Sequence, residues 1–364
     1  MRKRVAGGSK SRPGGVQRAT DTNPFPRTRY QGSKRKIAGD IVERLRDLTF
    51  TTVLDAFGGT GSVSYALKRE GRHVTFNDVL AFNHQIGLAL IENDGVTLDE
   101  VDVKALTIHC PNVHYEGFIA RTFGGIYFTD EENAELDVIV GNVRRLECPY
   151  KRALAWNALF QSCMAKRPYN LFHRRNLYMR MADVERSFGN KASWDRSFAD
   201  HLRDFATGAN RAVIDGGGTC RAVSMDALKL EPAFDLVYID TPYINDRGVG
   251  VDYRDFYHFL EGMVHYDAWP TMIDRTSKHL RLQRSRDPWS CAATIPDRFA
   301  RLFSHFRESI LVVSYRSDGT PPIEQIAEML GAVKSNVRVI TMDRNQYALS
   351  TRRNSREILL IGSD

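Results

Sequence analysis

Residues Val53 to Ser64 read VLDAFGGTGSVS, and the fold turns on them. A short apolar run, TTVLDAF, is halted by Gly58, Gly59 and Gly61, after which SVSYALKREG resumes with helical spacing. An apolar run broken by glycines and followed by a helical pattern is a strand, a tight turn and a helix. A second strand-like run, HVTFND, follows and ends in an acid, Asp78. Strand, glycine turn, helix and strand make a βαβ unit, which implies a parallel sheet.

The pattern extends outward from that unit. Upstream, KRKIAGDIVERLRDL sets Ile37, Ile41, Leu45 and Leu48 at helical spacing. Downstream, CRAVSMDAL (220–228), FDLVYID (234–240), SILVVSYR (309–316), VRVITM (337–342) and REILLIG (356–362) read as strands. From about 85 to 212 the alternation gives way to charged, helix-like pieces and loops. The expectation is an α/β fold, a Rossmann-like, doubly wound and mostly parallel sheet with an inserted, mainly helical unit. Its expected divisions are a flexible basic tail at 1–26, a sheet domain at 27–84 and 213–364, and the insert at 85–212.

The chain has 364 residues, of which 42% are hydrophobic, enough for a substantial core. No apolar run approaches the roughly 18 residues that span a bilayer. The basic start, MRKRVAGGSKSRPGG, lacks the apolar segment of a secretory signal, so a soluble intracellular protein is expected. Five scattered cysteines form no CxxC pair, which supports neither a disulfide framework nor a zinc site. The net charge of +7 is unevenly spread. Residues 1–20 hold six Lys or Arg and no acid, and KRPYNLFHRRNLYMR, Lys166 to Arg180, interleaves basic residues with aromatics. Such a mixture attracts a phosphate backbone and exposed bases; a solvated helix face would carry balancing acids.

Acids stand at the predicted strand ends. Asp55 precedes the glycine turn, where it suits an amino-bearing ligand better than a nicotinamide dinucleotide. The third glycine of the full dinucleotide fingerprint is absent. Asp78 is placed to hold two ribose hydroxyls, a role common to several nucleoside cofactors. Asp226 in MDAL could accept from an adenine amine or simply cap a helix. The next strand end reads DTPY, Asp240 to Tyr243. An amine on a heteroaromatic ring is a poor nucleophile, because its lone pair is shared with the ring. Two acceptors on its N–H groups, the Asp240 carboxylate and the residue-241 carbonyl, draw it toward tetrahedral geometry. Pro242 stiffens the turn and Tyr243 offers a face for stacking, so catalysis would come from positioning. A plain turn is the competing reading of the same four residues.

Together these motifs resemble the Dam-like (class alpha) adenine-N6 DNA methyltransferases. RYQGSKRKI, Arg29 to Ile37, resembles that family's N-terminal motif, VLDAFGGTGSVS its glycine motif, and DTPY its Asp-Pro-Pro-Tyr. FYHFLEGM, LVVSYRSDG and YALSTRRNSREILLIG are weaker likenesses. The resemblance implies S-adenosylmethionine (AdoMet) as cofactor, held by Tyr30, Lys34, Asp55, Phe57, Gly58, Gly61, Asp78 and Asp226. It implies Asp240, Thr241, Pro242 and Tyr243 as catalytic. It makes the insert a target-recognition unit, with Lys166, Arg167, Arg174, Arg175 and Arg180 as DNA contacts. Methylation of a flipped adenine in double-stranded DNA is the implied activity. A modification enzyme of a restriction–modification system, or an orphan or phage methylase, fits it. So do a prokaryotic or phage cytoplasmic setting, no metal, no membrane and a cognate endonuclease as partner. Thr241 departs from the family's Pro, yet the position supplies a carbonyl that every residue has. Cytosine-N4 or RNA acceptors, a protein amide and an inactive DNA-binding relative remain the alternatives. A dehydrogenase would leave DTPY and the basic segment without a role.

Overall fold

The computed structural model describes residues 24–184, 191–285, 287–342 and 355–364. Most of the expected basic tail, residues 1–23, lies outside them. Phe25, within the range expected for the tail, is buried with its ring 5.1 Å from that of Tyr65. Arg35 Nε donates to the Phe25 carbonyl at 3.0 Å and fixes this entry into the body.

Seven strands form one sheet: β1 (Thr52–Asp55), β2 (His73–Asn77), β3 (Arg221–Val223), β4 (Leu236–Ile239), β5 (Ile310–Arg316), β6 (Asn336–Met342) and β7 (Glu357–Ser363). Their order is β3-β2-β1-β4-β5-β7-β6. The first five are parallel, and β7 runs antiparallel to both of its neighbours. This is the expected Rossmann-like sheet, with every anticipated strand present. The anticipated strand at 220–228 is shorter, stopping at Val223.

Alternation along the strands sends residues to two cores, as a sheet covered on both faces requires. Val53, Val74, Leu236 and Val312 join one core, with Ile41 of α1 (Ala38–Glu43) and Leu67 of α2 (Ser62–Arg69). Leu54, Val237, Ile239 and Leu311 join the other, under Phe299 and Leu330 of two later helices, Ile295–His305 and Ile323–Gly331. Regular helix in KRKIAGDIVERLRDL covers only α1; tighter turns carry the chain through Leu45 to Leu48.

The insert is helical among its described residues, but it is not packed as a separate body. After α3 (Ala81–Gly87) come α4 (Asp130–Arg144), α5 (Pro149–Ala165) and α6 (Phe198–Asn210). From Ala153 to its end α5 is buried all round, as a helix apolar on every face must be. The Phe160 ring of α5 meets that of Phe82 on α3 at 5.8 Å, and one core unites Phe76, Leu136, Phe160 and Phe259. Among the described residues no helix is long and apolar enough to cross a membrane.

Candidate active site

The strand order reverses between β1 and β4, so their carboxyl ends diverge into a crevice. Asp55 closes β1 and pairs with Tyr238 of β4, which sets Asp55 and Asp240 beside each other at the crevice floor. A cavity of about 380 Å³ opens there, lined by both strand ends, the glycine turn and the segment Tyr30–Lys34. All four DTPY residues line it, as do Tyr30, Lys34, Asp55, Phe57, Gly58, Asp78 and Asp226. Gly61 does not; it stands at the start of α2 with φ +75°, a conformation that side-chain-bearing residues resist. Gly58 is required for packing as well, since a Cβ there would overlap the Phe76 ring.

The two halves of the cavity differ in chemistry. In the glycine-turn half, Asp55 is 1% exposed and its Oδ2 accepts from Ser64 Oγ at 2.6 Å. Its Oδ1 is buried with no hydrogen-bond partner among the described residues. A buried carboxylate oxygen left unpaired is costly, and a cationic ligand group would satisfy it. Burial pushes the Asp55 pKa up to about 7, against the Ser64 hydrogen bond. Asp78 Oδ2 accepts from Gly59 N at 2.9 Å and Asn83 Nδ2 at 3.0 Å, and its Oδ1 from Leu80 N at 2.9 Å. Burial outweighs these bonds and lifts its pKa to about 6. Ser33, Thr60 and Ser62 join their hydroxyls within 3.1 Å at the start of α2.

Asp226 lies beyond β3 rather than ending it, and its Oδ1 caps a short helical turn through Leu228 N at 3.1 Å. It thus combines the capping role with a place on the cavity wall.

The other half is a buried polar network. Asp240 Oδ1 accepts from Lys34 Nζ at 2.9 Å and from the Tyr243 hydroxyl at 2.8 Å. The Lys34 Nζ lies 3.3 Å from Glu357 Oε1 and also meets the Tyr243 hydroxyl. The same hydroxyl is 3.1 Å from Glu357 Oε1, which Ser314 Oγ serves as well. Asp240 Oδ2 has no hydrogen bond within the described residues, and the 17% exposure of this side chain opens on the cavity. Burial raises the Asp240 pKa to about 6; Lys34 works to lower it and Glu357 to raise it. For Lys34, burial opposes the charge, but Asp240 and Glu357 outweigh it and hold the pKa above its ordinary value.

Two expectations need correction. Tyr243 is 6% exposed, edge-on to Tyr315 with ring centroids 5.5 Å apart, which leaves little face for stacking a base. Its hydroxyl belongs to the network instead. Of the five basic residues expected to contact DNA, only Arg174 and Arg175 are exposed. Lys166 is buried on Glu132 Oε1 at 2.8 Å, and Arg180 grips both Glu132 oxygens at 2.7 Å. Arg167 stacks over Tyr127 and Phe172 and donates to the Leu171 and Arg174 carbonyls. A buried cation needs a partner, and these three already have theirs.

The sequence reading passed over Glu357, Tyr253 and Trp289. Glu357 carried a signal, a lone acid opening an apolar strand. Tyr253 and Trp289, which line the cavity from distant segments, carried none.

The comparisons agree with this geometry. The family model described as D12 class N6 adenine-specific DNA methyltransferase matches residues 30–313, from the Tyr30 segment through β4 into β5. A curated relative, the Type II methyltransferase M2.HphI of Haemophilus parahaemolyticus, is 33% identical over 247 residues. The match covers 66% of this chain and 71% of the relative. With strand ends, glycine turn and DTPY motif joined in one crevice, the chain belongs to the D12 class N6 adenine-specific DNA methyltransferases.

Proposed function

We propose that the protein methylates N6 of an adenine flipped out of duplex DNA at a specific sequence, with S-adenosylmethionine as donor. The observation that carries this reading is the Asp240 carboxyl: one oxygen is held by Lys34 and Tyr243, the other turned unpaired to the cavity. When bound, the cofactor supplies an electrophilic methyl on a sulfonium. Asp55 Oδ1 would take its ammonium group, Asp78 its ribose hydroxyls and Asp226 its adenine end. The hydroxyls of Ser33, Thr60 and Ser62, at a helix N-terminus, suit its carboxylate.

On the acceptor side, Asp240 Oδ2 receives one N–H of the target amine and the Thr241 carbonyl receives the other. That pairing turns the nitrogen lone pair out of ring conjugation. Lys34 keeps the Asp240 carboxylate ionised and fixed, so the site is aligned before the base arrives. Arg174 and Arg175, exposed beside the insert helices, are the proposed phosphate contacts. The Type II relative favours a modification enzyme of a restriction–modification system, with a cognate endonuclease as partner and the cytoplasm as setting.

Incubation of DNA of varied sequence with labelled AdoMet, followed by hydrolysis to nucleosides, tests the proposal. Label in N6-methyldeoxyadenosine, from some DNA sequences and not from others, is the expected result. Label in N4-methylcytosine, or in RNA in preference to DNA, would contradict it.

A further inference from the structure

A flipped adenine needs a flat face to lie on as well as acceptors for its amine. Leaving the duplex costs the base its stacking, and an aromatic side chain in the site restores it. Six aromatic residues line the cavity: Tyr30, Phe57, Tyr238, Tyr243, Tyr253 and Trp289. Most are committed elsewhere. Tyr238 and Tyr243 are buried, at 1% and 6% exposure. Trp289 is buried and edge-on to Phe57, with ring centroids 4.9 Å apart, and Phe57 belongs to the glycine-turn half. Tyr30 is stacked against two rings already, Tyr257 at 4.6 Å and Tyr253 at 5.6 Å.

We propose that Tyr253 is the platform on which the target adenine stacks, in the part that the edge-on Tyr243 does not fill. The proposal rests on the reading of function given above and adds a base-binding residue to it. Tyr253 opens the short helix Tyr253–Phe256, beyond the DTPY turn, and is half-buried in the cavity wall. Among the described residues the one ring it meets is that of Tyr30, parallel to within 5°. One face is therefore backed by an aromatic ring, and the proposal assigns the opposite face to the base.

The backing is fixed before any base arrives. Tyr257, at the far end of the stack, is fully buried, and its hydroxyl accepts from Gln31 N at 2.7 Å. Gly32, with φ +85°, leaves room for the Tyr253 hydroxyl, since a Cβ there would come within 2.5 Å of it. A platform held in one orientation by its neighbours spends little ordering entropy on binding. Its place in the cavity suits the acceptor side: the Asp240 charge acts on the Tyr253 phenol more strongly than that of Asp78. Burial and these acids push the Tyr253 pKa up, so the ring stays neutral beside the base.

Tyr253→Leu removes the flat face and keeps an apolar side chain; Tyr253→Phe keeps the ring. The probe is a duplex that the wild type methylates, with 2-aminopurine in place of the target adenine. That base is dim when stacked and bright when flipped out with no ring against it. With AdoMet present, the Tyr253→Leu complex should be at least about threefold brighter than the wild type, and the Tyr253→Phe complex far less so. Methyl transfer to the unsubstituted duplex should fall at least about tenfold in Tyr253→Leu, and less in Tyr253→Phe. AdoMet affinity, read by calorimetry, should stay within about twofold of the wild type in both variants. Brightness in Tyr253→Leu no greater than in the wild type would overturn the platform, whatever the transfer rate. So would a loss of AdoMet affinity as large as the loss of transfer, which would assign Tyr253 to the donor side or to folding. A wild type that transfers no methyl would overturn the functional reading and the platform with it; failure of the platform alone leaves wild-type transfer intact.

Discussion

Lys34 Nζ and Asp240 Oδ1 form an ion pair of 2.9 Å between a loop near the start of the chain and the end of β4. The Lys34 side chain is 5% exposed. Removing one partner of a buried pair typically costs about 3–5 kcal/mol, because the other charge is left uncompensated. Lys34→Met should destabilise the fold by roughly that amount, since it strands both Asp240 and Glu357. Adding Glu357→Gln should recover part of the loss, as urea denaturation of the two variants would show. Equal losses in both would mean that the lysine answers to Asp240 alone.

Three buried carboxyls in the cavity make stability fall as pH rises. Burial pushes the Asp55, Asp78 and Asp240 carboxyls up to about 7, 6 and 6, against an ordinary value of 3.8. The folded chain therefore binds more protons than the unfolded chain between those limits. Their stabilising contribution is full below the unfolded value and lost as pH rises through the folded ones. His173, His201 and His258, whose pKa values burial lowers, act in the opposite sense, so the carboxyl effect is read by substitution. Relative to the wild type, Asp55→Asn should gain in denaturation midpoint as pH rises from about 5 to about 8.

Cofactor affinity should move the opposite way. A ligand ammonium beside Asp55 favours its ionised form, so binding expels a proton and tightens between about pH 6 and pH 8. Calorimetry in buffers of different ionisation heat would count that proton directly. A pH-independent affinity with no proton released would remove Asp55 from the ammonium site.

Much of this was legible in the residues, and the gaps have physical causes. Glycine turns, apolar runs and acids at strand ends are local signals, and they located β1, β2, β4 and the DTPY site. Burial of a charge is not local. Lys166, Arg167 and Arg180 look like a DNA-binding face because their partners, Glu132 and the carbonyls of Leu171 and Trp194, are supplied by the fold. Tyr243 misled for the same reason, since its hydroxyl is claimed by Lys34 and Glu357, residues over one hundred positions away. The helical insert was found by composition. Its sharing of a core with α3 depends on Phe160 meeting Phe82, which periodicity does not disclose.

The exposed and buried arginines should separate by experiment. Arg174→Ala and Arg175→Ala should leave stability unchanged while each lowers the salt dependence of DNA binding by about one ion. Arg180→Ala should destabilise the fold by roughly 3 kcal/mol instead, having lost its grip on Glu132. Fluorescence anisotropy across a salt series, beside thermal melts, distinguishes the classes.

Thr241→Pro should be close to neutral in activity. The Thr241 hydroxyl is buried without a partner among the described residues, so its removal should not destabilise and could add about 1 kcal/mol. A gain of activity from an inactive wild type would show that the threonine is itself a defect.

The central claim is that Asp240 grips the amine while the glycine-turn half of the cavity holds the donor. Methyl transfer to DNA by Asp240→Ala, measured beside its AdoMet affinity, tests this most directly. The account predicts a loss of at least ~100-fold in transfer with affinity retained, because Asp55, Asp78 and the α2 turn are untouched. A variant that transfers methyl at the wild-type rate while still binding the cofactor would contradict it.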